Sequence, residues 1–459
     1  MAFLTAVSSI PAIVKILLVF ALITFSNAKG MHLGLAAFVG AIFAGFLSNM
    51  APLALLRFEL VALFSPDTLL LSLLLIAILG LSAALKKTGG MEEIARSYQD
   101  LVRSPRLALT TLPALIGVLP MPGGAVFSAP MIDAIDEKNE LNAIEKASAN
   151  YWFRHMIELI WPLYPAFILT ASLSGIPLVY LSLVNWYVPL SMLLLGLIFI
   201  IPHFGRGISL LHSVSQSQAS VKSRFFRFIR AFLPLIIAVS IAGFLNLALS
   251  LVSPFLETNS QTTSQAAFKA VSHYGPALIG VSAALVFVAL RHGLQTVAST
   301  LVSRASLKMI TTVAGIKVFA ATLSSIGIAS TAAIELSHIG VPTLVVTAAL
   351  PFIAGLVTGL GFGYVGLAFP IVLALVPEGS STLYLAATMA LGGAFGFSGM
   401  MLSPLHICMA VSAEHFSTKI TPVLSKMLKP LLAFMLIAIL YYFLLTTVGG
   451  DLMATPRSS

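Results

Sequence analysis

Residues 113–132 read PALIGVLPMPGGAVFSAPMI and lie within a run of 26 apolar or small residues bracketed by Arg106 and Asp133. That run is long enough for one membrane-crossing helix. Against this, Pro113, Pro120, Pro122 and Pro130 each remove a backbone donor, and Gly123 and Gly124 add flexibility where the ladder is already broken. The break is expected near Met121 to Gly124. Each limb is then about 11 to 13 residues, roughly 16–20 Å of helix, short of the ~30 Å hydrocarbon core. The stretch therefore reads as a re-entrant hairpin, about residues 107–135, that dips in and returns. Irregular backbone is tolerated at membrane depth only where it is buried in protein or lines a cavity, so the tip should sit at a site.

The design recurs at Pro351 to Val372, PFIAGLVTGLGFGYVGLAFPIV, giving a second hairpin over about residues 342–376. Pro113 to Pro130 spans 17 residues and Pro351 to Pro370 spans 19; the next proline-bearing helix follows at 32 residues (Pro130 to Pro162) and 34 (Pro370 to Pro404). Gly/Pro-interrupted segments at matching places in two halves are the sequence mark of a secondary transporter's binding site.

Composition agrees. The 459 residues are 58% hydrophobic and 9% charged, with mean hydropathy +1.02, against about 25% charge in a soluble domain. The net charge of +9 does not point to nucleic acid, because the basic residues are scattered between apolar spans. A single cysteine, Cys408, leaves no intramolecular disulfide and no cysteine cluster for zinc or iron–sulfur. No phosphate-binding loop is present for an ATP motor, and no resident cofactor is implied.

Apolar runs place spans at about 10–27, 31–48, 66–85, 147–172 and 177–202, then 231–252, 274–290, 309–329, 381–413 and 430–448. Met50–Phe64 and His292–Ser306 read as interfacial segments. Ile10 to Phe25 imitates a signal peptide, but its leading residues carry no base, so it is kept as the first span. If both hairpins return to the side they entered, 19 of the 25 Lys and Arg fall on one face, as the positive-inside rule requires. Ordinary spans would instead put Arg206, Lys222, Arg224, Arg227 and Arg230 outside. The expected fold is thus an all-α polytopic protein of the cytoplasmic membrane, with ten spans and two re-entrant hairpins. Two inverted repeats, 1–203 and 230–449, are joined by a cytoplasmic linker at 204–229 and followed by a tail at 450–459. Both termini come out extracytoplasmic.

Intramembrane ionisable groups default to function. Arg154, His155 and Glu158 stand in NYWFRHMIELIWPLYP, with Asn150 one turn before Arg154. Arg154 and Glu158, four apart, can pair on one helix face, and a guanidinium near a hairpin tip suits a carboxylate through two parallel hydrogen bonds. The four glycines of GGAFGFSGMMLSPLHICM, Gly392 to Met409, read as an unwound segment whose polar groups are Ser398, Ser403 and His406; close helix packing is the alternative. Candidate ligands to substrate or coupling ion are therefore Pro122, Gly123, Gly124 and Ser128 at the first tip and Gly361 and Gly363 at the second. Asn150, Arg154, His155, Glu158, Ser398, Gly399, Ser403 and His406 come from the interrupted helices. Lys317, too deep to be an interfacial anchor, is a counter-charge to Glu158 or a substrate contact. Glu335 and His338 read as solvated loop residues.

The string MPGGAVFSAPM at 121–131, with NYWFRH at 150–155, resembles the integral membrane family known as domain of unknown function 401. The paired hairpins are distantly similar to the ion transporter superfamily of gluconate, citrate and dicarboxylate carriers. That resemblance implies a scaffold, an elevator-like transport domain and often a homodimer. The tips PMPGGAVFS and GLGFGYVG lack the Ser-Asn-Thr signature of sodium-coupled dicarboxylate carriers. The expected function is secondary transport of a small organic anion driven by a proton or sodium gradient. The rivals are an ion channel, for which rings of pore charge are missing, and an intramembrane serine protease using Gly396-Phe397-Ser398-Gly399.

Overall fold

The computed structural model describes residues 10–102, 104–120, 124–136, 139–203, 220–256, 263–377 and 379–452. Among them are twenty-one α-helices and no strand. The first half gives α1 (Ala12–Ala28), α2 (Leu33–Leu47), α3 (Pro52–Leu63), α4 (Pro66–Lys87), α5 (Gly90–Leu101), α6 (Pro105–Gly117), α7 (Ala125–Ile135), α8 (Ala143–Arg154), α9 (Pro165–Ser174), α10 (Leu178–Val184) and α11 (Tyr187–Leu195), closing on a π turn at Gly196–Ile200. The second gives α12 (Val221–Leu256), α13 (Thr263–His292), α14 (Leu294–Leu301), α15 (Arg304–Ile326), α16 (Ile328–His338), α17 (Thr343–Thr358), α18 (Gly361–Ala374), α19 (Thr382–Met401), α20 (Ile407–His415) and α21 (Ile420–Leu452).

Local sequence sets the helix starts. Ser65 accepts from Thr68 N at 3.3 Å, with Pro66 opening α4. Asn142 and Glu145 form a reciprocal capping box on α8, and Ser381 accepts from Tyr384 N at 3.1 Å at the head of α19. Among the described residues six helices, lying within α4, α12, α13, α15, α19 and α21, are long and apolar enough to cross a bilayer. In α19 78% of the apolar window is buried, against 17% in α12. The first is therefore a core helix, and the second leaves most of its side chains outside the packed core. α1 and α2 are shorter, 17 and 15 residues.

Packing separates two groups of helices. In one, α2 lies on α15, α4 on α13 and α15, α1 on α2, and α12 on α13. In the other, α17 and α18 pack on each other and on α19, α19 packs on α21, and α6, α7 and α20 gather on α8. Elements eleven places apart exchange partners. α2 on α15 is matched by α13 on α4, α5 on α12 by α16 on α1, α3 on α15 by α14 on α4, and α7 on α20 by α18 on α9.

Two expectations change here. α19 runs unbroken through Gly392, Gly393, Gly396 and Gly399, so these glycines do not unwind it. They admit neighbours instead: a Cβ at Gly399 would lie 3.0 Å from Leu356 N on α17, and a Cβ at Gly396 would overlap the Tyr364 ring of α18. Glu335 is no solvated loop residue. It lies on α16, and its carboxylate accepts from Ala12 N at 2.8 Å and Ile13 N at 2.9 Å, capping α1.

Candidate functional site

Four chain breaks meet in the second group of helices. α6 stops at Gly117 and α7 resumes at Ala125, on either side of the break expected near Met121 to Gly124. The expected fourth span is not one helix: α8 ends at Arg154, and an irregular stretch runs to Tyr164 before α9 opens. Pro162 and Pro165 lack N–H groups, and their rings would strike the carbonyls of Glu158 and Trp161 in a continued helix. α17 ends at Thr358, where Gly359 takes φ +63°, and α18 starts at Gly361. α19 ends at Met401 before Pro404, and α20 opens at Ile407 with His406 as its cap.

Side chains join the breaks. Gly124, at the first tip, lies against the fully buried Arg154: a Cβ there would sit 2.6 Å from the guanidinium carbon. Asn150 donates to Ala125 O at 3.1 Å and to Ser412 Oγ at 2.9 Å, tying α7, α8 and α20 together. Asn150 Oδ1 is buried without a hydrogen-bond partner among the described residues. Ser128 is fully buried one turn into α7, its hydroxyl 3.5 Å from the same Ala125 carbonyl. His406 Nδ1 lies 2.7 Å from Gly359 O, and its Nε2 lies 3.1 Å from His155 Nε2. A Cβ on Gly359 would approach His406 N and Ser403 Oγ to 3.0 Å, so only the bare backbone fits. A Cβ on Gly361 would come within 2.9 Å of Ala166 Cβ and 3.1 Å of Glu158 Oε1, which places Glu158 where α9 and α18 both begin. Gly363 packs against Thr358 across the same break. Buried carboxylate, guanidinium and imidazoles therefore surround helix N-termini, whose free N–H groups favour anions.

Other expectations fall differently. Pro122 and Gly123 lie outside the described residues. With α8 ending at Arg154, Arg154 and Glu158 share no helix face. Ser398 donates to Ala394 O at 2.7 Å within α19, and Gly399 packs on α17. Lys317 is not the counter-charge to Glu158: its ammonium pairs with Asp67 and donates to Ser172 Oγ at 2.9 Å, and the Tyr274 hydroxyl donates to Asp67 at 2.9 Å. This knot binds α4, α9, α13 and α15.

Sequence reading missed Tyr151, Ser412 and Cys408. The Tyr151 hydroxyl donates to Met401 O at 3.2 Å, and its ring centroid lies 5.0 and 5.4 Å from those of His155 and His406. Its position one turn before His155 was the available signal. At the polar end of α7, Lys146 pairs with Asp133 at 3.0 Å and Asp136 at 3.4 Å, and His415 Nε2 lies 3.0 Å from Asp133. Burial acts to raise the Asp133 carboxyl, but hydrogen bonds from Lys146 and His415 outweigh it and hold the group below its usual range. Burial likewise acts to lower the Lys146 ammonium, and its two aspartates hold it above the usual lysine value.

Fold and apolar spans define a multi-pass α-helical membrane protein. The chain belongs to the family described as protein of unknown function (DUF401), whose model matches residues 6–445. No curated protein matches it. Among solved structures, it is similar to the YdaH transporter of Alcanivorax borkumensis, reported as having an unusual topology, at 15% identity and a TM-score of 0.44 over 87% of this chain and 90% of that one.

Proposed function

We propose that this protein is a secondary transporter of a small organic anion, a carboxylate, driven by a proton or sodium gradient. The observation that carries the reading is the meeting of four chain breaks around a buried Arg154. Arg154 supplies the planar donor fork for the carboxylate, the N–H groups opening α7, α18 and α20 share the anionic charge, and Asn150 Oδ1 accepts from a hydroxyl or amine carried elsewhere on the solute. Glu158 is the acid that takes the coupling proton or sodium ion. Ser398, its hydroxyl bonded to its own helix, fits a packed helix better than a protease nucleophile.

In this reading the six long helices are joined by α1, α2, α8 with α9, and α10 with α11 to make ten spans. The pairs α6–α7 and α17–α18 are the re-entrant hairpins. The exchange of packing partners between elements eleven places apart supports two repeats, 1–203 and 230–449, of inverted topology about the linker 204–229. The group that holds the breaks moves as an elevator against the α1–α5 and α12–α16 scaffold, in a homodimer in the cytoplasmic membrane. Reconstitution in proteoliposomes tests the function. Saturable uptake of an organic acid that stops when the gradients collapse is expected; uptake indifferent to both proton and sodium gradients removes the coupling.

A further inference from the structure

The facing histidines have a chemistry beyond that reading. His155 Nδ1 lies 2.7 Å from Tyr151 O, and His406 Nδ1 lies 2.7 Å from Gly359 O. A carbonyl oxygen only accepts, so each Nδ1 carries a proton, and each ring in its neutral form presents a lone pair at Nε2. Those two lone pairs face one another at 3.1 Å in a buried place. Something positive has to sit between them.

A third donor identifies it. Cys408 lies two residues beyond His406, in the first turn of α20, and its Sγ and one ligand nitrogen from each histidine fall within 4.8 Å of one another. All three residues are buried. A shared proton would need only the two rings, whereas a thiol sulfur within 4.8 Å of both nitrogens completes a donor set of two nitrogens and one sulfur. Two ligand nitrogens about 2.0–2.1 Å from one tetrahedral ion stand roughly 3.3 Å apart, close to the separation seen. Imidazoles whose far nitrogens are anchored on backbone carbonyls are the usual outer support of a metal-binding histidine, because the anchor fixes both tautomer and ring plane. The Tyr151 ring packs against both imidazoles and limits their rotation.

We infer that His155, His406 and Cys408 bind a borderline-soft transition-metal ion of the Zn²⁺ class. Binding displaces the Cys408 thiol proton, and the thiolate offsets one of the ion's two charges. Three protein ligands leave a tetrahedral ion one position for water or an anionic solute. The single cysteine excludes a cysteine cluster but not this mixed site.

The test uses the full chain, purified in detergent, stripped with chelator and titrated with Co²⁺, so it is read apart from transport. One Co²⁺ per chain is expected, with a thiolate-to-cobalt charge-transfer band that Zn²⁺ abolishes by displacement. Cys408→Ser, nearly the same size, should lose the band and bind about tenfold more weakly or worse. His155→Gln and His406→Gln should weaken binding similarly, each read only on protein that elutes as a single species and unfolds cooperatively. Folded wild-type protein that takes up no stoichiometric Co²⁺, or takes it up without the thiolate band, overturns the metal site. So does Cys408→Ser binding as tightly as wild type. Those results leave the histidine pair as a proton site.

Discussion

Replacing Gly124 with alanine tests whether bare backbone at the first tip is what lets the Arg154 guanidinium lie where it does. The new Cβ would sit 2.6 Å from Cζ and 2.9 Å from Nη1, well inside contact distance, while Arg154 is only 1% exposed and cannot swing into solvent. Overpacking of this kind costs about 1–3 kcal/mol. If the guanidinium gives way, a carboxylate bound as proposed loses charge-assisted hydrogen bonds worth about 1.5–3 kcal/mol, or roughly 10- to 150-fold in affinity. A lysine at 154 has no Nη atoms, so in the Arg154→Lys background the same glycine substitution should cost much less. Unfolding of the purified wild-type, single and double variants in detergent measures this non-additivity. Equal costs in both backgrounds, within about 0.5 kcal/mol, would refute the claim that Gly124 exists to seat the arginine.

Breaking the Asp67–Lys317 pair by Lys317→Met should destabilise the protein by less than the ~3–5 kcal/mol of a fully buried pair, because the Asp67 side chain is 39% exposed. Adding Asp67→Asn should recover most of the loss in thermal unfolding, and a double variant no better than the single would contradict this. Glu335→Gln should cost about 0.5–2 kcal/mol and speed amide exchange at Ala12 and Ile13, which lose a charged cap; unchanged exchange would count against the cap. Asp133 has a folded pKa below its unfolded value of about 3.9, so its contribution is present above that value and lost as pH falls through the folded one. Lys146 has a raised pKa, so its contribution is present below about 10.4 and lost as pH rises through the folded value. With Asp133 47% exposed, the acid-side effect is only about 0–1 kcal/mol. Wild-type stability should therefore fall slightly more steeply below about pH 4 than that of Asp133→Asn, and superimposable acid limbs would remove Asp133 from the account.

Much of this was legible in the chain. Proline and glycine act locally, so the sequence places a helix break near Met121 to Gly124, and the helices stop at Gly117 and resume at Ala125. Long apolar runs gave α4, α12, α13, α15 and α21 in the same way. Continuous hydropathy makes the run 147–172 look like one helix, although Pro162 and Pro165 already forbid that ladder. The α19 glycines misled for another reason: the residue that permits unwinding also permits close packing, and only the α17 and α18 surfaces decide between them. Lys317 found Asp67, and His155 found His406, across separations of about 250 residues, which no local pattern encodes. A count of one cysteine bears only on disulfides and cysteine clusters, whereas the place of Cys408 two residues after His406 is the pattern that points to a mixed donor set.

Thermal unfolding against a panel of organic acids tests whether Arg154 and the surrounding breaks bind a small organic anion, as proposed. A ligand that binds only the folded state at about a hundred times its Kd adds roughly 2.7 kcal/mol of stability. Wild-type protein should be stabilised by at least one acid, and Arg154→Lys, which keeps the charge but loses the planar fork, should fold yet show little of that stabilisation. An acid that stabilises Arg154→Lys as strongly as the wild type would contradict the account.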